Sequence, residues 1–187
     1  METALKREII SSKGLSRAIG VSLFVILTAL GGFVRIPLPF TPVPLTLQTF
    51  FVLLSGLILG RGLGLLSQFS YLILGIAGLS VFSGPGCGLL YLLGPTGGYL
   101  YGFLIASTLT GQVRGAKASF KRTFFLLCSA DLLLLACGTI WLKFTLNLSI
   151  AQSLSLGFLP FLAGDMIKAL SATLIYLKIE NRVKMIF

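Results

Sequence analysis

Long runs of apolar residues fill most of this 187-residue chain and leave few folds open to it. Apolar residues make up 56% of the chain and charged residues only 11%, with a mean hydropathy of +0.99. A soluble domain of this size has too much surface to hide that much apolar material, whereas a hydrocarbon solvent removes the difficulty. The composition therefore predicts an all-α integral membrane protein, because helices satisfy their own backbone groups in lipid.

Six apolar stretches are candidates for transmembrane helices, and together they predict a single transmembrane domain over residues 1–187. They cover approximately residues 15–34, 45–59, 63–79, 92–109, 123–144 and 161–179. A spanning helix needs roughly 20 apolar residues, so the short second and third stretches are expected to form a tightly turned pair around Gly60-Arg61-Gly62. The first stretch lacks a small-residue cleavage site, which favours a retained helix over a secretory signal.

The distribution of basic residues supports six spans and sets their orientation. In that arrangement twelve of the fifteen lysines and arginines fall on one side, and only Arg35, Lys143 and Lys168 fall on or near the other. Cytoplasmic loops of membrane proteins collect Lys and Arg. Both termini are therefore expected in the cytoplasm, and the net charge of +10 is attributed to membrane topology rather than to nucleic-acid binding.

Three segments that connect the apolar stretches are not expected to form transmembrane helices. Residues 37–44 contain four prolines. The stretch Phe82 to Gly98 contains two further prolines and is rich in glycine. We expect irregular backbone in both, since proline cannot continue a helix. Ser149 to Gly157 is the third connector, expected as a loop or a short surface helix. In the six-span arrangement all three lie on the outer side, which predicts a pocket roofed by loops.

Polar residues in and beside the apolar stretches are the candidates for binding. Asp165 and Lys168 are spaced i, i+3, so they share one face near the outer start of the last helix. They are either a structural ion pair or a ligand clamp, in which Asp accepts from N–H groups and Lys donates to oxygen. Gln48 is either a helix cap or a pocket residue. Tyr91 and Tyr99 belong either to an interfacial aromatic belt or to the pocket.

Asp131 lies inside the fifth stretch with no obvious partner in the sequence. An acid within the membrane is a functional candidate by default. We favour a structural role, in which Asp131 lies near the cytoplasmic interface and pairs with Arg122 or a neighbour.

A stripe of small residues recurs every four positions on the first helix, at Gly14, Ala18 and Ser22. Small residues at this spacing allow two helices to approach closely. Packing within the bundle and docking of a partner membrane subunit explain the stripe equally well.

The sequence offers little of the chemistry that enzymes need. Histidine is absent, the acids are not clustered, and the three cysteines lack metal-ligand spacing. The run Gly94-Pro-Thr-Gly-Gly-Tyr99 lacks the lysine of an ATP-binding P-loop. We therefore expect no enzymatic activity, no metal and no cofactor, and any ATP-driven transport must take its energy from another subunit.

Four stretches together resemble the BioY family, the biotin-specific substrate-binding (S) components of energy-coupling-factor transporters. They are Thr41–Thr49 (TPVPLTLQT), Tyr71–Phe82, Gly94–Leu100 and Pro160–Lys168. The resemblance covers nearly the whole chain and implies an S-component fold of six transmembrane helices in the cell membrane. It further implies biotin uptake, a membrane scaffold (T) subunit that docks on the small-residue stripe, and separate ATPase subunits.

The predicted ligand site combines this resemblance with the candidates above. It comprises Gln48, Phe82, Ser83, Tyr91, Tyr99, Asp165 and Lys168. The resemblance implies that Asp165 and Lys168 contact biotin, and the ureido ring of biotin offers the N–H donors and the carbonyl acceptor that such a pair can answer. Ser80 and Ala163 stand where the family usually has proline, which bears on loop rigidity.

Four alternatives remain open from the sequence. The chain is an S component for a different vitamin, a solitary biotin transporter that needs no coupling subunits, a small intramembrane enzyme, or a structural partner without a ligand.

Overall fold

The computed structural model describes residues 2–84, 86–115 and 119–187, with side chains from residue 13 onward. Its helices are α1 (Glu2–Phe33), α2 (Gln48–Leu59), α3 (Arg61–Ile76), α4 (Leu89–Leu93), α5 (Gly97–Thr110), a 3₁₀ helix (Gly111–Gly115), α6 (Phe120–Thr145), α7 (Ile150–Gly157) and α8 (Leu159–Ile186). The two strands within these ranges, β1 (Arg35–Ile36) and β2 (Leu45–Thr46), have two residues each. The all-α prediction is confirmed, and each predicted span overlaps one of the longer helices.

Within the described residues, three parts of the chain are long and apolar enough to cross a membrane. They are Lys13–Phe33, Phe120–Thr145 and Ile150–Ile186, the last of which includes α7 and α8. The helices α2, α3 and α5 are shorter, with 12, 16 and 14 residues. Many large apolar side chains point outward, such as Phe125 at 67% exposure. A surface of this kind is stable against lipid and not against water, so the chain is a membrane protein.

The longer helices run alternately in opposite directions. The start of the 3₁₀ helix lies against the backbone of Arg61, which places the end of α5 beside the α2–α3 turn. The helix α6 then returns, and the indole N–H of Trp141 donates to the Gly94 carbonyl at 2.9 Å. One end of the bundle therefore carries Arg61, the 3₁₀ helix and the start of α6, and we call it the basic end.

The opposite end carries the three connectors, and we call it the connector end. The N–H of Leu47 donates to the Gly31 carbonyl at 3.1 Å, and that of Gly84 donates to Gly32 at 3.3 Å. A Cβ on Gly32 would lie 2.9 Å from Nε2 of Gln48 and 3.3 Å from the Phe82 carbonyl. Two glycines at the end of α1 thus let the first two connectors approach each other. The predicted convergence is confirmed for the first two connectors.

The α2–α3 turn is as tight as predicted, because only Gly60 separates the two helices. Its φ of +83° lies in the region that favours glycine. Close packing continues along α2: a Cβ on Gly56 would collide with the Ser107 carbonyl and the Thr110 hydroxyl of α5. Helices α2 and α5 therefore meet backbone to backbone.

The connectors contain more regular structure than the sequence predicts. An antiparallel ladder pairs Arg35 with Thr46 and Ile36 with Leu45, and it closes the proline-rich loop. The prediction of irregular backbone from Phe82 to Gly98 is wrong in part. The apolar run at 89–93 forms α4, and α5 already begins at Gly97. The third connector is a short helix, α7, with a capping box between Ser149 and Gln152.

Candidate ligand-binding site

A cavity lies at the connector end, enclosed by α2, α5, α6 and α8 and covered by the first two connectors. Most of its wall is apolar, with a few polar groups at one side. Its lining residues are Val43, Pro44, Thr46, Gln48, Thr49, Ser83, Tyr91, Thr96, Tyr99, Leu100, Phe103, Leu134, Leu135, Phe161, Asp165 and Lys168. An apolar cavity with a few convergent polar groups is the usual form of a small-molecule site.

Asp165, Lys168 and Thr49 form a hydrogen-bonded triangle in the cavity wall. The ammonium of Lys168 donates to Oδ1 of Asp165 at 2.7 Å and to the hydroxyl of Thr49 at 2.8 Å. The same hydroxyl donates to Oδ1 of Asp165 at 3.2 Å. The side chains of Asp165 and Lys168 are only 3% and 12% exposed. The predicted shared face of the two residues is confirmed, and the pair is both structural and turned toward the cavity.

The sequence interpretation missed Thr49. It stands next to Gln48 in the run Thr-Leu-Gln-Thr, where only the glutamine was chosen. Its importance comes from the packing of α2 against α8, 116 residues away along the chain. The sequence carries no signal of that contact apart from the motif itself.

Gln48 connects the cavity wall to Val81, the residue just before the second connector. Its amide Nε2 donates to the hydroxyl of Tyr71 at 2.5 Å, and that hydroxyl donates to the Val81 carbonyl at 3.0 Å. The capping interpretation of Gln48 is wrong, because the N-cap of α2 is Leu47 and no side chain caps it. The helix is instead ordered by buried side-chain contacts, and Gln48 holds one edge of the cavity.

The aromatic wall has two layers. Tyr91 lines the cavity and stacks on Phe82, with ring centroids 5.2 Å apart. Phe82 is fully buried and is not among the lining residues, so it supports Tyr91 from behind instead of forming the wall as predicted. The ring of Phe82 packs against Gly75. A Cβ at Gly75 would collide with this ring, so the packing requires glycine there.

Ser83 and Tyr99 also reach the cavity. The Ser83 hydroxyl is buried and has no hydrogen-bond partner among the described residues. The Tyr99 hydroxyl donates to the Gly157 carbonyl at 2.6 Å, which ties the cavity to the end of α7. Tyr99 is only 7% exposed, so the belt interpretation does not apply to it. Six of the seven predicted site residues therefore line one cavity, and Phe82 lies one layer behind.

The cavity is narrow. Its volume is about 50 Å³. That inner volume suits a few waters. A wider space of about 380 Å³ lies beside it, lined by the proline-rich loop and by Arg35. The two spaces share Pro44, Ser83 and Tyr91, so these three residues form the partition between them.

Asp131 is not where the sequence interpretation put it. It lies midway along α6, nine residues or about 13 Å from Arg122 along the helix axis, so pairing with Arg122 is wrong. The residue is 4% exposed, and its Oδ1 has no hydrogen-bond partner in the described part of the chain. It lines a lateral groove between α6 and α8 together with the back of Asp165. Within the described ranges, no three Cys, Asp or Glu side chains converge as metal ligands would.

The small-residue stripe on α1 is open. Gly14, Ala18 and Ser22 are all exposed, and a Cβ on Gly14 would have no neighbour within 4 Å. Packing within the bundle therefore does not explain the stripe, and the open surface is consistent with the docking interpretation.

The fold and the cavity define a class: a membrane-embedded helical bundle with a cavity at one end, of the form that small molecules usually occupy. The sequence profile of the BioY family matches residues 3–185. The chain belongs to the BioY family.

Individual relatives agree with this assignment. A probable biotin transporter BioY of Pyrococcus horikoshii is 40% identical over 86% of this chain and 94% of its own length. A biotin transporter BioY of Thermotoga maritima is 37% identical over 89% and 97%. The crystal structure of the S component for biotin from an ECF-type ABC transporter superposes with a TM-score of 0.83, at 27% identity, over 90% of this chain and 92% of that one. The family is one of transporter components and not of enzymes.

Proposed function

We propose that this protein binds biotin at the cavity of the connector end and brings it into the cell. The observation that carries the proposal is the buried pair of Asp165 and Lys168 facing an otherwise apolar cavity in a chain of the BioY family. A buried ion pair that also faces a cavity can exchange part of its internal hydrogen bonding for bonds to a ligand. Biotin is uncharged at its ring end, so its ureido group can join the pair without adding a charge.

The donor and acceptor pattern of the triangle matches the ureido ring. The carboxylate of Asp165 accepts from a ring N–H, and the ammonium of Lys168 donates to the ring carbonyl. Thr49 fixes both side chains in place through its hydroxyl. The ring sulfur and the aliphatic chain suit apolar walls such as Phe103 and Leu134. A vitamin without the ureido pattern would leave buried polar groups unpaired, which is how such a site rejects it.

Entry of the ligand requires movement of the connectors, because the inner space is narrower than a bicyclic ring. The partition formed by Pro44, Ser83 and Tyr91 separates the cavity from the wider outer space. Two residues of this partition are joined by a long hydrogen bond, in which the Tyr91 hydroxyl donates to the Ser83 carbonyl at 3.4 Å. Displacement of this partition joins the two spaces and gives a cavity of the size that small molecules usually occupy.

The proposed topology is a single domain with six crossings of the plasma membrane and both termini in the cytoplasm. The charge distribution supports it, because Arg61, Arg114 and Arg122 all lie at the basic end of the bundle. In this orientation the connector end faces outward. The helices α2, α3 and α5 have only 12, 16 and 14 residues, so local thinning of the bilayer accommodates them.

The energy for uptake comes, in this proposal, from separate ATPase subunits through a membrane scaffold (T) subunit. The exposed stripe of Gly14, Ala18 and Ser22 on α1 is the proposed docking surface. Small residues on a lipid-facing helix allow another helix to approach closely. The run at 94–99 lacks the lysine of a P-loop, so we assign ATP hydrolysis to another chain.

Uptake of labelled biotin tests the proposal. Cells without their own biotin importer would express the protein with and without the coupling subunits, and Lys168→Met would serve as the matched inactive variant. We expect uptake that depends on Lys168. Equal uptake by the Lys168→Met variant, or uptake of thiamine or riboflavin in place of biotin, would contradict the proposal. Full uptake without coupling subunits would identify a solitary transporter.

A further inference from the structure

The basic end of the bundle carries a second groove that the proposed biotin site does not use. Arg17 of α1, Arg61 at the start of α3 and Arg114 of the 3₁₀ helix line it, together with apolar groups from Leu59, Leu63 and Phe187. The groove has a volume of about 470 Å³, and none of the described residues that line it is acidic. Three cations from three different elements thus meet at one place.

Among the described side chains, no carboxylate pairs with an arginine of this cluster. The ion pairs formed among described side chains are Lys168–Asp165 and Lys184–Glu180, and neither includes an arginine of the groove. Arg114 donates one bond to the Leu59 carbonyl at 2.6 Å and lies over the ring of Phe187 at 5.8 Å. Partial burial, together with the nearby charge of Arg17, lowers the pKa of Arg114 below its usual value. An anion would relieve this repulsion.

An apolar groove continues from the cluster along the membrane-spanning part of the bundle. It lies between α1 and α3 and has a volume of about 550 Å³. On α1 it begins at Val21, one turn after Arg17, and on α3 it includes Leu66, one turn after Gly62. The two grooves therefore follow one another along the same pair of helices, with the charges at the end.

The occupant must match both parts. A free phosphate or nucleotide would use the arginines but not the apolar groove. A helix of another subunit would use the groove, but close helix contacts favour small residues, and α3 presents Leu66, Phe69 and Ile73, each exposed by 47% or more. An acyl chain follows such a ridged surface easily. Arginine clusters at the cytoplasmic ends of transmembrane helices bind lipid phosphates.

We propose that these two grooves hold one anionic phospholipid, with its phosphate on Arg17, Arg61 and Arg114 and an acyl chain between α1 and α3. In the proposed topology this is a lipid of the cytoplasmic leaflet. In the free protein the lipid would lie between α1 and α3 and brace α1 against α3 and the 3₁₀ helix, and docking of the scaffold subunit on the stripe that includes Ser22 would displace its acyl chain.

Native mass spectrometry of the full-length protein, titrated with dioleoyl phosphatidylglycerol or dioleoyl phosphatidylcholine, tests the proposal. We expect wild type to retain one phosphatidylglycerol in preference to phosphatidylcholine. The double variant Arg17→Gln, Arg61→Gln should bind phosphatidylglycerol about tenfold more weakly. The control Lys121→Gln, Arg122→Gln removes the same charge from exposed positions at the same end, outside the groove, and should bind like wild type.

A third variant tests the apolar half of the site. Ser70→Trp places a large side chain in the α1–α3 groove and should weaken dioleoyl phosphatidylglycerol while sparing the short-chain dihexanoyl form. Melting temperatures in detergent and biotin binding should match wild type in every variant, since the cavity lies at the other end of the bundle.

Three results would overturn the lipid assignment. They are equal binding of the two phospholipids, equal loss in the arginine variant and its control, and binding of inorganic phosphate alone as tight as that of the lipid. Because biotin binding is measured on the same samples, failure of the lipid site and failure of the biotin site are distinguishable.

Discussion

Replacement of Asp165 by asparagine is the sharpest perturbation of the proposed biotin site. The side chain keeps its shape, but Oδ1 no longer carries the charge that holds Lys168 at 2.7 Å and Thr49 at 3.2 Å. The amide can also turn its own N–H toward a ureido N–H, so that two hydrogen-bond donors face and repel each other. A hydrogen bond to a charged group contributes about 1.5–3 kcal/mol. Asp165→Asn should therefore weaken biotin binding by about tenfold to 150-fold.

Isothermal titration calorimetry on protein purified in detergent measures this loss directly. Glu180→Gln is the matched control, because it also removes the charge of a carboxylate that pairs with a lysine of α8, but toward the basic end of the bundle and outside the cavity lining. We expect its affinity to stay within about threefold of wild type. Unchanged affinity in Asp165→Asn would refute the assigned role of the carboxylate. Equal loss in both variants would show that net charge matters and not the contact.

Three further predictions concern the same architecture. Lys168→Met removes the donor to the ureido carbonyl and should weaken biotin binding by about tenfold or more in the same calorimetric assay, and wild-type affinity would remove Lys168 from the site. Tyr99→Phe loses the hydrogen bond to the Gly157 carbonyl and should lower the free energy of unfolding by about 1 kcal/mol, measured as a lower melting temperature in detergent. An unchanged melting temperature would mean that this hydrogen bond contributes nothing to stability. Gly56→Ala should destabilise the bundle by about 1–3 kcal/mol, because the added Cβ meets the backbone of α5. Gly62→Ala is the control and should leave stability unchanged, because no atom lies within 4 Å of its added Cβ. Equal stability of the two variants would contradict the close α2–α5 packing.

Much of the fold could be predicted from the sequence because the bilayer imposes simple rules. Apolar stretches located the longer helices, and the Gly60 turn followed from the shortness of its neighbours. The short helix α4 was missed because the surrounding glycines and prolines outweighed five apolar residues. The β1–β2 ladder was missed because a two-residue strand has no periodicity to detect.

The site was predictable where polar residues stand out against an apolar background. Asp165 and Lys168 share a face through helix geometry alone, so their pairing follows from their spacing. Thr49 and the support given by Phe82 were missed, because both depend on which helices pack together across the bundle. The misplacement of Asp131 has the same origin, since the chain position of an acid does not give its depth in the bundle.

A structure of the protein with biotin bound tests the central claim most directly. The account predicts biotin in the cavity of the connector end, with a ureido N–H on the carboxylate of Asp165, the ureido oxygen on the ammonium of Lys168, and the partition of Pro44, Ser83 and Tyr91 displaced. Biotin bound elsewhere on the bundle, or bound with its ureido ring away from this pair, would contradict it.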